Sequence, residues 1–227
     1  MKRAIFTFYN HQIDSELVRL HHEVVNKLNT LDNCDFCPLQ YKQPDGEMYP
    51  DDAMNYGIQH LFYEKNYDTI LILEVDCIPF NPYSLEYTFK TAESGILVGD
   101  SQRAMHLQND EHMYVAPSAF CIAKDLYEKL GKISFAPTRR GDIAEEYTYK
   151  CEELGNPIEF YMPKHFIRHP RNGYRWDLGK GRSSFGIGTT FVNKNQELMF
   201  FHLFESRSHV WNSIFYDKCE EILNMNK

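Results

Sequence analysis

Two acids two residues apart, Glu74 and Asp76, close the apolar run Ile70-Leu71-Ile72-Leu73. Side chains two apart in a β-strand share a face, so the pair is expected to project together from the carboxyl end of a strand. Two carboxylates held so close repel one another, and burial raises the cost of their charge unless a cation offsets it. A hard divalent ion does this and can grip phosphate oxygens at the same time. The competing reading is that each acid caps nearby backbone or pairs with an arginine. Spacing alone does not separate the two. The β-α-β-α order of the preceding residues favours the metal, because open α/β sheets bind ligands at the carboxyl ends of their strands.

A second concentration of chemistry is basic. Lys164, Arg168, Arg171, Arg175, Lys180 and Arg182 stand against one acid, Asp177, in a chain of net charge −8. Gly179, Gly181, Gly186 and Gly188 lie in or just after the same stretch. Arginine and lysine head groups with glycine amides suit a diphosphate, and the charge contrast favours that reading over a merely solvated surface loop. The GxxxxGK[ST] spacing of a Walker loop is absent. A third group, Asp142, Glu145 and Glu146, falls where a helix is expected to begin near Asp142. The helix dipole favours acids there, and i,i+4 spacing would put Asp142 and Glu146 on one face.

The elements that must position these groups are legible in outline. Strands are expected over residues 3–9, 34–41, 69–76 and 95–100, with a partly extended stretch over 113–122. Further strand-like runs cover 157–163, 164–170 and 197–204, around a glycine-rich loop at 171–188. Helical stripes cover 13–28, the run from Asp51 or Asp52, 84–90, 123–131, 141–155 and 210–223. Alternating β and α elements imply an α/β fold: a mainly parallel (mixed) central sheet flanked by helices, as a single domain over 1–227.

Composition narrows the function classes. The chain has 227 residues, 43% hydrophobic and 15% aromatic, enough for a sizeable core. Its acidic balance argues against nucleic acid as a partner. No stretch reaches the ~20 apolar residues of a membrane span, and the N-terminus lacks the apolar core of a signal peptide, so a cytoplasmic location is expected. Cys34 and Cys37 form a CxxC, but a zinc site would need a second ligand pair and a redox motif would open a helix.

With these motifs in this order, the chain resembles the GT-A class of glycosyltransferases. In that class an Asp-x-Asp element ends a core strand and holds Mn²⁺ or Mg²⁺ on the diphosphate of a nucleotide-sugar. The element here reads Glu74-Val75-Asp76, so Asp76 is the firmer ligand, while Glu74 is a ligand or binds through water or the ribose. The resemblance implies a further metal ligand from a histidine near the C-terminus. His202, at the end of an apolar strand, matches it, with Glu205 and Arg207 close behind. It also implies a general base downstream of the metal element, matched by Asp142, Glu145 or Glu146. Tyr9 and Asn10, at the end of the first strand, would stack on and hydrogen-bond the nucleotide base; Lys180 and Arg182 would reach the diphosphate. Residues 1–105 would form the nucleotide-sugar-binding half, and 106–227 the acceptor-binding half. The implied activity is metal-dependent transfer of a hexosyl or related group from a nucleotide-diphosphate sugar to a hydroxyl of a glycan or other acceptor. Two other readings stay open: a metal-dependent nucleotidyltransferase, and a non-catalytic carbohydrate-binding or structural protein.

Overall fold

The computed structural model describes residues 1–41, 49–108, 111–169, 176–179 and 183–225. Lys180, Arg182, Arg171 and Arg175, central to the expected phosphate loop, lie outside the described residues.

The first strand, β1 (Arg3–Tyr9), is buried along its middle, as a strand covered on both faces must be. Helix α1 (Ser15–Leu28) follows. Asp14 caps it by accepting the Glu16 amide, and its stripe Leu17, Leu20, Val24, Val25 and Leu28 faces the core. Strand β2 (Cys34–Gln40) returns parallel to β1, with Ile5 opposite Phe36. Helix α2 (Pro50–Gln59) runs on through a π-helical turn at His60–Glu64. Strand β3 (Thr69–Leu73), every residue buried, pairs parallel on the other side of β1.

After a short turn come β4 (Cys77–Pro79), α3 (Pro82–Glu93) and β5 (Leu97–Arg103). Strand β6 (Met113–Ala123) then inserts between β3 and β5, antiparallel to both. Helices α4 (Lys124–Lys129) and α5 (Glu145–Glu153) precede β7 (Ile158–Ile167). A small ribbon of β8 (Trp176–Asp177) and β9 (Ser184–Phe185) leads to β10 (Gly188–Val192), β11 (Leu198–Leu203) and α6 (Asn212–Asn224).

Among the described residues the main sheet has nine strands, in the order β2-β1-β3-β6-β5-β7-β10-β11-β4. It is mixed. Among the described residues, parallel pairing is confined to β1–β2, β1–β3 and β5–β7; the β-α-β crossovers impose it in the first two, and β6 reverses the direction beyond β3. Both border strands, β2 and β4, carry a proline, Pro38 and Pro79, the usual place for one in a sheet. Helices α1, α3 and α6 cover one face with a core that includes Leu20, Val24, Leu85, Phe89, Phe200 and Phe215. Helices α2, α4 and α5 cover the other, with Met54, Ile58, Phe62, Leu126, Phe120 and Tyr147.

The connection from β3 to β4 forces the sheet to curl. These strands stand six positions apart in the order, about 29 Å if the sheet were flat. Only Glu74, Val75 and Asp76 join them, a reach of at most about 14 Å. The far border must therefore bend back to the middle of the sheet, and the acids sit where it meets.

Several expectations needed revision. Asp142 precedes α5, which starts at Glu145 after Ala144 takes a left-handed conformation (φ 68°); Asp142 and Glu146 do not share a helix face. The two strand-like runs expected on either side of Pro163 are one strand, β7 (Ile158–Ile167), which tolerates Pro163 because the register with β10 shifts beside it, between Thr190 and Phe191. Strand β10 follows directly on the stretch expected to be loop. Residues 113–122 form a full strand across the middle of the sheet. Among the described residues, no helix is long and apolar enough to cross a membrane.

Candidate metal centre and active site

The acids lie on the turn beyond β3, not within the strand as their spacing predicted. The Glu74 amide still donates to Ser118 O at 3.0 Å, extending the ladder with β6, and the Cys77 amide closes the turn on Glu74 O at 2.9 Å. The Leu203 amide donates to Asp76 O at 2.9 Å, tying the turn to the end of β11. Because β11 pairs with β4, with His202 opposite Cys77, the imidazole is carried to the two carboxylates. His202 Nε2 lies 3.5 Å from Asp76 Oδ1 and 3.7 Å from Glu74 Oε2. One ligand atom from each residue lies within 4.8 Å of the others. Ser206 Oγ donates to the second Asp76 oxygen at 2.6 Å, leaving Oδ1 facing the histidine. The Asp76 and Glu74 side chains are 14% and 25% exposed, so both remain open to a ligand, while His202 is 5% exposed.

Electrostatics are consistent with a cation at this point. Burial, and then the neighbouring Asp76, push the Glu74 carboxyl up to about 7. Burial opposes ionisation of Asp76 too, but His202 and the Ser206 hydroxyl outweigh it and hold that carboxyl below its ordinary value. Burial likewise pulls His202 down, yet Asp76 and Glu74 keep it above the ordinary imidazole value. Beneath them Asp100 is fully buried, and its burial raises it to about 7. Two carboxylate oxygens and an imidazole nitrogen suit an Mn²⁺-type ion, and the convergence of their ligand atoms fits one.

The turn divides two cavities. One, of about 560 Å³, is lined by Glu74, Asp76, Gln102, Tyr114, Asp142, His202, Phe204, Glu205 and Arg207. A smaller one of about 70 Å³ lies behind, where Phe8 and Ile13 meet Glu74, Asp76, Ser206 and Arg207. Arg207 borders both, and its charge opposes the rise in Glu74.

The other anticipated residues fall in different places. Of the three acids in 142–146, Asp142 alone lines the cavity that Glu74, Asp76 and His202 share. Its Oδ1 accepts the Ile143 amide at 2.8 Å, and the Tyr114 hydroxyl stands 3.5 Å from Oδ2. Glu145 is fully buried: it accepts the Asp142 amide at 2.8 Å and lies 2.6 Å from His112 Nδ1. Glu146 pairs with Arg140, whose Nε donates at 3.0 Å, and lines a separate open cavity of about 1060 Å³ with His112, Tyr149 and Glu152. Tyr9 packs edge-on against His22 at 5.6 Å. The Asn10 side-chain oxygen accepts the Gln12 amide at 2.9 Å, turning the chain out of β1, and it is Phe8 and Ile13 that line the small cavity. Lys164 donates to Gln196 O at 3.4 Å, away from the acids. Sequence reasoning missed Ser206 and Tyr114. Neither belongs to a pattern, since Ser206 acquires its partner 130 residues away.

No family model and no curated protein matches the sequence. Among solved structures, the chain is similar to the catalytic domain of Drosophila β1,4-galactosyltransferase 7 in complex with xylobiose, at 15% identity, covering 92% of this chain and 72% of that one, with a TM-score of 0.48. A second structure of that enzyme, a mutant with manganese, UDP-Gal and xylobiose, gives 16%, 92%, 73% and 0.48. A197 from STIV is similar at 14% identity, covering 88% and 93%, with a TM-score of 0.44. These likenesses concern the course of the chain, and what the site does has to be read from its own residues.

Proposed function

We propose that the chain is a metal-dependent glycosyltransferase that moves a sugar from a nucleotide-diphosphate donor to a hydroxyl acceptor. The observation that carries this reading is the convergence of Glu74, Asp76 and His202 on a turn between two cavities, with a further carboxylate, Asp142, across the larger one. Asp76 and His202 are the metal ligands and Glu74 the third. A divalent ion held there would act as a Lewis acid on the departing diphosphate. Arg207, bordering both cavities, holds a phosphate oxygen, a task suited to its donor fork. Residues 1–105 hold most of the donor, Phe8 and Ile13 forming the floor of the nucleotide side, with His202 and Arg207 reaching its diphosphate from residues 106–227, which otherwise hold the acceptor.

Asp142 is the general base. As an acceptor oxygen bonds to the sugar carbon, its proton passes to Asp142, and the bond from sugar to diphosphate breaks, inverting the configuration at that carbon. Glu145 fixes the loop carrying Asp142 through the backbone amide, and Tyr114 and Phe204 line the same cavity.

The test is turnover of UDP- and GDP-sugars with Mn²⁺, read as nucleoside diphosphate release with and without sugar acceptors. Asp142→Asn is expected to lower turnover 10²- to 10⁴-fold while Mn²⁺ still binds. Pyrophosphate release from nucleoside triphosphates, with no turnover of any nucleotide-sugar, would assign the site to nucleotidyl transfer instead.

A further inference from the structure

One buried acid next to the metal centre has no place in the chemistry above. Asp100, in the middle of β5, is fully buried. Its Oδ2 accepts from Ser118 Oγ at 3.2 Å and from Cys77 Sγ at 3.8 Å. Its other oxygen, Oδ1, is buried and has no hydrogen-bond partner among the described residues. Cys77 is the cross-strand neighbour of His202, and directly opposed residues of an antiparallel pair send their side chains side by side from one face. The thiol that touches Asp100 therefore stands beside the imidazole. His202 turns Nε2 to Asp76 and Glu74, and its Nδ1 is buried and also without a partner among the described residues. An imidazole that offers Nε2 to a cation carries its proton on Nδ1, and that N–H needs an acceptor. The carboxylate that this thiol touches has such an oxygen to offer, since Asp100 Oδ1 has no donor among the described residues.

We propose that Asp100 is the positioning residue of His202, its free oxygen receiving the Nδ1–H through one buried water. Buried waters occupy such gaps between otherwise unpaired polar groups, and partners of this kind fix the ring and tautomer of a metal-binding histidine. This rests on the metal reading of the Glu74–Asp76–His202 set.

The experiment uses the full chain, with Mn²⁺ titrated calorimetrically and the imidazole N–H signals of the metal-free protein recorded by NMR. Asp100→Leu, which keeps the branch at Cγ but has no acceptor, is expected to weaken Mn²⁺ binding 10- to 100-fold and to abolish the solvent-protected His202 N–H signal of the unmodified protein. Where Asp100→Leu does not fold, Asp100→Asn takes its place, with about tenfold weaker binding and a displaced signal expected. Unchanged Mn²⁺ affinity together with an unchanged His202 signal in a folded variant overturns the proposal and leaves Asp100 a carboxylate of structural use alone. If the unmodified protein binds no Mn²⁺, the metal reading fails, and the N–H signal still decides the Asp100–His202 pairing.

Discussion

Replacing Asp76 by asparagine should uncouple the protein's stability from Mn²⁺. The substitution conserves shape, and the amide oxygen can still accept the Ser206 hydroxyl, which lies 2.6 Å from Asp76 in the native chain. It removes the charge that faces His202 at 3.5 Å. A ligand at a hundred times its dissociation constant stabilises the fold that binds it by about 2.7 kcal/mol. Unfolding entropy runs at about 2.1 cal/mol/K per residue, so for 227 residues the melting temperature should rise by about 6 °C. In Asp76→Asn the rise should fall to below about 1 °C. The metal-free melting temperature of the variant should also drop, because His202 loses its nearer anionic partner. Scanning fluorimetry of both proteins, with and without Mn²⁺ and with UDP or GDP added, measures both effects. An equal Mn²⁺ shift in the two proteins would refute the assignment of Asp76. No shift in the native chain at millimolar Mn²⁺, even with a nucleoside diphosphate present, would refute the site.

Glu146→Gln should leave sugar transfer within about threefold of the native rate, because its carboxylate is held by Arg140 outside the metal cavity; a loss comparable to that of a general base, about 10² or more, would move the base from Asp142 to Glu146. Gly99→Ala should cost about 3 kcal/mol, the upper end of overpacking losses, since the added carbon would lie 1.8 Å from the Ala119 carbonyl oxygen; the urea midpoint measures it. Stability should also fall in mild acid through His21, which is fully buried and whose imidazole, through burial and then His22, titrates at about 3. The unfolded imidazole protonates near 6.5, so the contribution is whole above that pH. Each unit below it, down toward the folded value, should cost up to about 1.4 kcal/mol. Comparing urea midpoints at pH 7 and pH 5 for the native chain and His21→Gln tests this, and equal pH slopes would contradict it.

How much of this was legible in the sequence differs from element to element. The apolar run of β3 and the stripe of α1 carry their structure in local pattern, and both elements form where expected, although β3 stops at Leu73, before the acids, and α1 begins at Ser15. The acids after β3 were recognisable as a candidate metal pair, but their convergence depends on the turn and the curl of the sheet, which bring β4 back beside β11. No local pattern records that closure. The start of α5 was misplaced because Asp142 has the composition of a cap, while the chain turns instead at Ala144, a residue without a side-chain signal for φ > 0. Strand β10 carried a β-branched signal in Thr189, Thr190 and Val192 that the glycines before it obscured. The separation of Asp142, Glu145 and Glu146 into cavity, core and ion pair is a tertiary outcome, since all three look alike as carboxylates near a helix start.

The prolines in the two outermost strands bear on how the molecule behaves in a crowd. A sheet border offers free amides and carbonyls to any other extended segment, the route to domain exchange and fibre growth. Pro38 lacks an amide hydrogen in one border and Pro79 in the other, and the second of these strands is only three residues long. Neither rim is a continuous template, so chains that meet at high concentration are protected against polymerising by strand addition.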